Sequence, residues 1–314
     1  MKAPIPVTGQ ISKDEAGRWL QELSARLPDE RLIWLDDISE ADCQAAEIAI
    51  VANPDPNEIA KLTNLKWVHS VWAGVERLVA DLGDQPFEIV RLIDPELART
   101  MAEAVLSWCL YLHRDMPAYA RLQRDHKWAE LPYSKPSQKT VGVLGLGALG
   151  IAAAQLLKQF GFHVQGWSRT QKDLPGIETF QGPRGLEQMI GQSDLLVCLL
   201  PLTEGTRHLL DFDLLKKACP GASLINFGRG PVVVTDDLVT LLDQGPLDHA
   251  VLDVFDQEPL PENSLLWDHP KITILPHISA PTDVLTASDI VASNIKQYRR
   301  TGQLPPVVDK KFGY

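Results

Sequence analysis

The run TVGVLGLGALGIAAAQLLKQFG, residues 140–161, constrains this chain more than any other segment. An apolar, β-branched stretch reads as a buried strand, three closely spaced glycines follow, and an Ala/Leu-rich helical pattern then ends at Gly161. A strand that stops at a glycine turn and passes directly into a helix opens a βαβ unit, so a parallel neighbour is required. Further apolar runs follow in FHVQGWS, DLLVCLL, ASLINF, HAVLDVF and ITILPH, separated by helical patterns. Such runs need cover on both faces. They predict a doubly wound α/β parallel sheet from Lys139 to about Pro281.

The first hundred residues carry a second set of short strand-like runs: RLIWL (31–35), EIAIVA (47–52), KWVHSV (66–71) and EIVRL (88–92). NPDP at 53–56 reads as a turn or helix entry, because prolines interrupt a ladder. A buried helix is expected from Thr100 to about His113, and a last helix, following the final strand, from about Asp283 to Arg300. Between Asp115 and Pro136 the chain mixes charges, aromatics and prolines, the pattern of an exposed arm or a subunit contact.

Composition narrows the function. The net charge of −11 argues against nucleic acid or an anionic membrane as the main partner, since both select a cationic surface. The opening MKAPIPVTGQ lacks a signal-peptide apolar core, and LLVCLLPL is too short to span a bilayer, so the cytoplasm is the expected location. Cys43, Cys109, Cys198 and Cys219 show no paired spacing and are expected to be reduced thiols. The histidines show no metal-ligand grouping, and no metal site is expected.

The loop GLGALG fits a dinucleotide. Gly145 makes the tight turn, Gly147 lets a pyrophosphate approach the backbone, and Gly150 brings helix and strand close. The amides at the helix start, Ala148 and Leu149 included, favour the diphosphate charge. Where NAD sites carry an acid for the ribose hydroxyls, the next strand ends in Ser168-Arg169-Thr170, with Lys172 beyond. Loss of the acid together with gain of cations predicts NADP(H) in preference to NAD(H).

Three polar residues follow later strands: Arg229 in NFGRGP, Glu258 in VFDQEP and His277 in ILPHIS. Carboxyl ends of strands are where open α/β sheets bind ligands. His277 can deliver a proton near neutral pH, Glu258 can orient it and favour its charged form, and Arg229 can clamp a carboxylate beside a reacting carbonyl. Together they suit reduction of a 2-oxo acid. Singly, His277 could hold a loop, Glu258 cap a turn, and Arg229 sit in a surface pair. In VWAGVE, the amides of Ala73 and Gly74 can receive a substrate carboxylate, while Trp72 either walls the pocket or packs outward.

These motifs, with LPLTEGT, NFGRGPVVVTDDL and VLDVFDQEPLPENSLLWDHPKITILPHIS in this order, resemble the D-isomer-specific 2-hydroxyacid dehydrogenases. GWSRTQKDLPGI, NSLLWDHP and the terminal Gly313-Tyr314 look closest to that family's NADPH-dependent glyoxylate/hydroxypyruvate reductases of the A type. The resemblance implies that Arg229, Glu258 and His277 form the catalytic set and that Asp253 holds the nicotinamide carboxamide. It also implies that Leu200, Pro201, Thr206, Phe227 and Gly228 line the cofactor, with Met101 near the nicotinamide. The implied architecture is a Rossmann-type NADP-binding domain, 101–283, inserted into a flavodoxin-like substrate domain formed by 1–100 and 284–314. Homodimers are implied too. Trp72 and Glu76 stand where the family commonly has glycine and aspartate, which leaves the substrate's size open. Two rival readings share the fold: a nicotinamide-sensing regulatory protein, which has no need of the whole polar set, and a dehydrogenase using another donor such as phosphite.

Overall fold

The computed structural model describes residues 2–311; Gly313 and Tyr314 lie outside the described residues. Among the described residues, backbone contacts divide the chain into two units. One comprises the residues up to Glu96 with those from Thr282 onward, and the other is Leu97–Pro281. The dividing points fall a few residues before the expected 100/101 and 283/284.

The first unit alternates β1 (Ile5–Gly9), α1 (Lys13–Arg26), β2 (Leu32–Trp34), α2 (Glu40–Ala45), β3 (Ile48–Ala52), α3 (Pro56–Ile59), β4 (Trp67–Ser70), α4 (Glu76–Leu82) and β5 (Glu88–Val90). All described pairings in its sheet are parallel, in the order β2-β1-β3-β4-β5. The central β3, IAIVA, is buried at every position, whereas the edge strand β2 is half-buried throughout. The C-terminal helix Val284–Thr301 returns to this unit, packing Ala287, Val291 and Ile295 into a cluster with Trp19, Leu23 and Trp67.

Strand β1 was not among the sequence expectations. Its Pro6 lacks an amide, which demotes such a run on paper; here Pro6 stands opposite Ile33 of the edge strand. The long helix of the second unit also departs from expectation. It begins at Pro95 instead of Thr100, because proline suits a first helical turn and the Asp94 carboxylate accepts the Glu96 amide at 2.8 Å.

That helix is α5 (Pro95–His113), followed by α6 (Met116–Arg124). The second unit then runs β6 (Thr140–Leu144), α7 (Ala148–Phe160), β7 (His163–Trp167), β8 (Glu178–Phe180), α8 (Gly182–Ile190), β9 (Leu195–Cys198), α9 (Phe212–Leu215), β10 (Ala222–Asn226), α10 (Thr235–Gln244), β11 (Leu247–Leu252) and β12 (Ile272–Ile274). Its sheet is parallel at every described pairing, ordered β12-β11-β10-β9-β6-β7-β8. Strand order reverses beside β6, which pairs with both β7 and β9, so the glycine loop after β6 opens at the switch point.

Cys43, Cys109 and Cys198 are buried free thiols, and Cys219 is half-buried. Burial alone pushes the Cys109 thiol far above its usual range, so it is not a nucleophile. Among the described residues no helix is long and apolar enough to cross a membrane, and no three His, Cys, Asp or Glu side chains group as metal ligands.

Candidate active site

Five loops of the second unit leave one edge of its sheet, and the ladder continues into each. Gly145, Leu199, Phe227, Asp253 and Leu275 donate their amides to the last carbonyls of β7, β6, β9, β10 and β11, at 2.8–3.1 Å. The loop starts are therefore fixed by neighbouring strands.

Each glycine of the first loop has a distinct constraint. Gly145 adopts φ +103°, a conformation that side chains rarely take. A Cβ on Gly150 would lie 1.8 Å from the Gly145 carbonyl oxygen, so turn and helix touch there. A Cβ on Gly147 would meet nothing within 4 Å. Gly147 and Ala148 are exposed, Leu149 half-buried, and the helix they begin has neither an acidic first turn nor a side-chain cap. An open backbone surface at an uncapped helix start fits a diphosphate.

Beyond β7, Ser168 is buried and its hydroxyl donates to the Thr170 carbonyl at 2.7 Å. Arg169, Thr170 and Lys172 are exposed around this turn. Leu200 and Phe227 are buried, Pro201 half-buried, and Gly228 packs so tightly that a Cβ would lie 2.7 Å from the Leu200 carbonyl oxygen. The Thr206 hydroxyl donates to the Pro201 carbonyl at 2.6 Å and accepts the Thr203 amide at 2.8 Å, so it staples its own loop. Met101 is buried in the core cluster with Val105, Val143 and Phe227.

The polar set converges at the loops after β10, β11 and β12. His277 Nδ1 lies 2.7 Å from Glu258 Oε2, and Glu258 Oε1 accepts the Phe255 amide at 2.9 Å. The Glu258 hydrogen bond raises the His277 pKa above its ordinary value; partial desolvation and the Arg229 charge oppose this without reversing it. For Glu258, burial acts upward. The hydrogen bonds from His277 and Phe255, aided by the charges of His277 and Arg229, hold its carboxyl below the usual range. His277 occupies the left-handed region at φ +55°, an uncommon conformation that its surroundings must maintain. Asp253 does so. Its carbonyl accepts the His277 amide at 2.9 Å, and its buried carboxylate accepts the amides of Ile278 at 2.7 Å and Ser279 at 3.0 Å.

Arg229 is half-buried, with Nη1 donating to the Gly228 carbonyl at 2.7 Å. Asn226, which sequence reasoning passes over, holds this loop. Its side-chain nitrogen donates to the Arg229 carbonyl at 3.1 Å, and its oxygen accepts the Gly228 amide at 3.2 Å. An asparagine closing a strand before a glycine was the available signal.

In the first unit, Trp72, Ala73 and Gly74 are half-buried in the turn after β4. Trp72 packs against the cluster containing Val71 and Leu92. Their neighbour His69 is structural: fully buried, with Nδ1 2.8 Å from the Ser70 carbonyl and Nε2 2.9 Å from the Asn294 amide.

Residues 106–279 match the family model of the D-isomer specific 2-hydroxyacid dehydrogenase NAD binding domain. The chain belongs to the D-isomer specific 2-hydroxyacid dehydrogenase family. It is 38% identical to glyoxylate/hydroxypyruvate reductase A of Serratia proteamaculans (strain 568) over 307 residues, covering 95% of this chain and 96% of that protein. Among solved structures, it resembles a D-isomer specific 2-hydroxyacid dehydrogenase from Xanthobacter autotrophicus Py2 in complex with NADPH and MES. The TM-score is 0.92 at 36% identity, covering 99% of this chain and 100% of that one. The NADPH-dependent glyoxylate/hydroxypyruvate reductase of Sinorhizobium meliloti, solved with NADP and sulfate, gives 0.91 at 33% identity with both chains fully covered. As a member of this dehydrogenase family, the chain is an NAD(P)-dependent oxidoreductase built on two parallel-sheet α/β domains.

Proposed function

We propose that this dehydrogenase reduces small 2-oxo acids, glyoxylate and hydroxypyruvate among them, to 2-hydroxy acids with NADPH in preference to NADH. The observation that carries the chemistry is the His277–Glu258 pair at 2.7 Å, with the His277 pKa raised. Glu258 engages Nδ1, so Nε2 is the ring atom left to give a proton to the carbonyl oxygen. The charged imidazolium withdraws electrons from that carbonyl before the proton moves, and Arg229 binds the adjacent carboxylate. Bound NADPH supplies the hydride. Asp253 keeps the His277 turn in place and is our candidate for the nicotinamide carboxamide as well. Gly145, Gly147, Ala148, Leu149 and Gly150 would hold the diphosphate. Leu200, Pro201, Thr206, Phe227, Gly228 and Met101 would shape the rest of the cofactor site, and Arg169, Thr170 and Lys172 would receive the 2′-phosphate, with Ser168 standing where an acid would repel it. The similarity to NADPH-dependent reductases supports this reading. A homodimer in the cytoplasm completes it.

The test follows nicotinamide absorbance with a panel of 2-oxo acids from glyoxylate to phenylpyruvate, using NADH and NADPH in parallel. His277→Ala should lose about 10²–10⁴-fold in kcat, the usual worth of a general acid, while retaining NADPH binding. Near-normal turnover in that variant would remove His277 from the mechanism.

A further inference from the structure

The cation-bearing turn after β7 is tied by hydrogen bonds to the neighbouring edge strand β8 and to the start of α8. Trp167 Nε1 donates to the Gly182 carbonyl at 2.9 Å, and the Ser168 amide donates to the Phe180 carbonyl at 3.1 Å. The Gln171 amide donates to Gln181 Oε1 at 3.0 Å. Gln171 Nε2 donates to Thr179 Oγ1 at 2.6 Å and to the Thr179 carbonyl at 3.1 Å. The Thr179 hydroxyl, having accepted from Gln171, donates to the Lys172 carbonyl at 2.5 Å. Its donor and acceptor roles are thus both used on the turn that carries Arg169, Thr170 and Lys172.

We infer that Thr179 of β8 and Gln181, the residue that follows the strand, are positioning residues for cofactor selection, acting through Gln171 to hold the 168–172 turn in its phosphate-receiving shape. The inference rests on the reading that Arg169 and its neighbours select NADPH. A loop arranged in advance binds more tightly because less conformational freedom is lost when the ligand arrives. The restraint matters for a cofactor whose 2′-phosphate needs several donors from this turn at once. It matters little for NADH, which presents no phosphate there. Neither Thr179 nor Gln181 has a place in the proposed catalytic or cofactor-contacting set, so both act at one remove.

The distinguishing measurement is the dissociation constant of each cofactor by calorimetry on the intact enzyme, with steady-state kinetics alongside. Thr179→Val keeps the side chain's shape and removes its hydroxyl. It should weaken NADPH about fivefold, the usual worth of an ordering hydrogen bond, and leave NADH and kcat at saturating NADPH unchanged. Thr179→Ser should restore NADPH binding. Gln181→Ala, which removes the acceptor for the Gln171 amide, provides a second route should the valine variant fold poorly. Unchanged NADPH binding, or equal weakening of both cofactors, would overturn the inference. Arg169→Ala separates the two levels of argument. A selective loss of NADPH there, beside an unaffected Thr179→Val, defeats the clamp alone. No selective loss at Arg169 defeats the NADPH reading and the clamp with it.

Discussion

At the residue scale, His277 and Glu258 set each other's protonation. The raised pKa of His277 keeps it charged further into the neutral range, so reduction should fall as pH rises through that raised value. Glu258→Gln removes the hydrogen-bonded carboxylate that is the largest cause of the shift. The alkaline limb of kcat/KM should then move to lower pH, which a pH–rate series from 5 to 9 would reveal; an unmoved limb would detach Glu258 from the proton donor. The residue types were legible in sequence, since each of the three follows a strand-like run. Their approach was not, because Glu258 and His277 leave different strands and meet only when β11 and β12 lie side by side. The left-handed His277 was equally hidden. Nothing local in ILPHIS requires φ +55°; the distant Asp253 carboxylate maintains it.

At the element scale, the loops after β10 and β11 are in direct backbone contact. A Cβ on Gly230 would lie 2.0 Å from the Phe255 carbonyl carbon, so any side chain there must part the two loops. Gly230→Ala should cost about 2–3 kcal/mol, in the range of overpacked interiors, and raise the KM for the oxo acid as Arg229 shifts. Urea unfolding midpoints and steady-state kinetics would measure both effects. Buried strands such as DLLVCLL and ASLINF were plain in the sequence because their apolar runs are continuous. Strand β8, ETF, was passed over. It is a short edge strand with an exposed first residue, and its existence depends on pairing with β7. That same pairing places Thr179 and Gln181 against the 168–172 turn, so a weak local signal concealed the hydrogen bonds made there.

At the scale of the whole molecule, each unit buries a histidine that must remain neutral. Desolvation lowers His69 in the first unit and His249 in the second to about 4. Both groups bind protons more readily in the unfolded chain. Their contribution is therefore fully present above an unfolded value of about 6.5 and is lost as pH falls through about 4. For His69 alone the loss is on the order of 3 kcal/mol. Thermal midpoints should fall steadily from pH 7 to pH 4, and His69→Gln should flatten that slope. An equally steep fall in the variant would assign acid sensitivity to other groups.

The sequence by itself determined the parallel α/β sheet of the second unit, the short strand-like runs of the first, the glycine loop at a helix start, and the polar residue types that follow the strands. These are matters of period, turn chemistry and the hydrophobic demand of each segment, all local along the chain. The tertiary structure decided which loops touch, how Asp253 fixes the His277 turn, and how the edge strand hydrogen-bonds Ser168, Gln171 and Lys172. Those arrangements depend on strand order and on hydrogen bonds between segments far apart in sequence, and no local pattern encodes them.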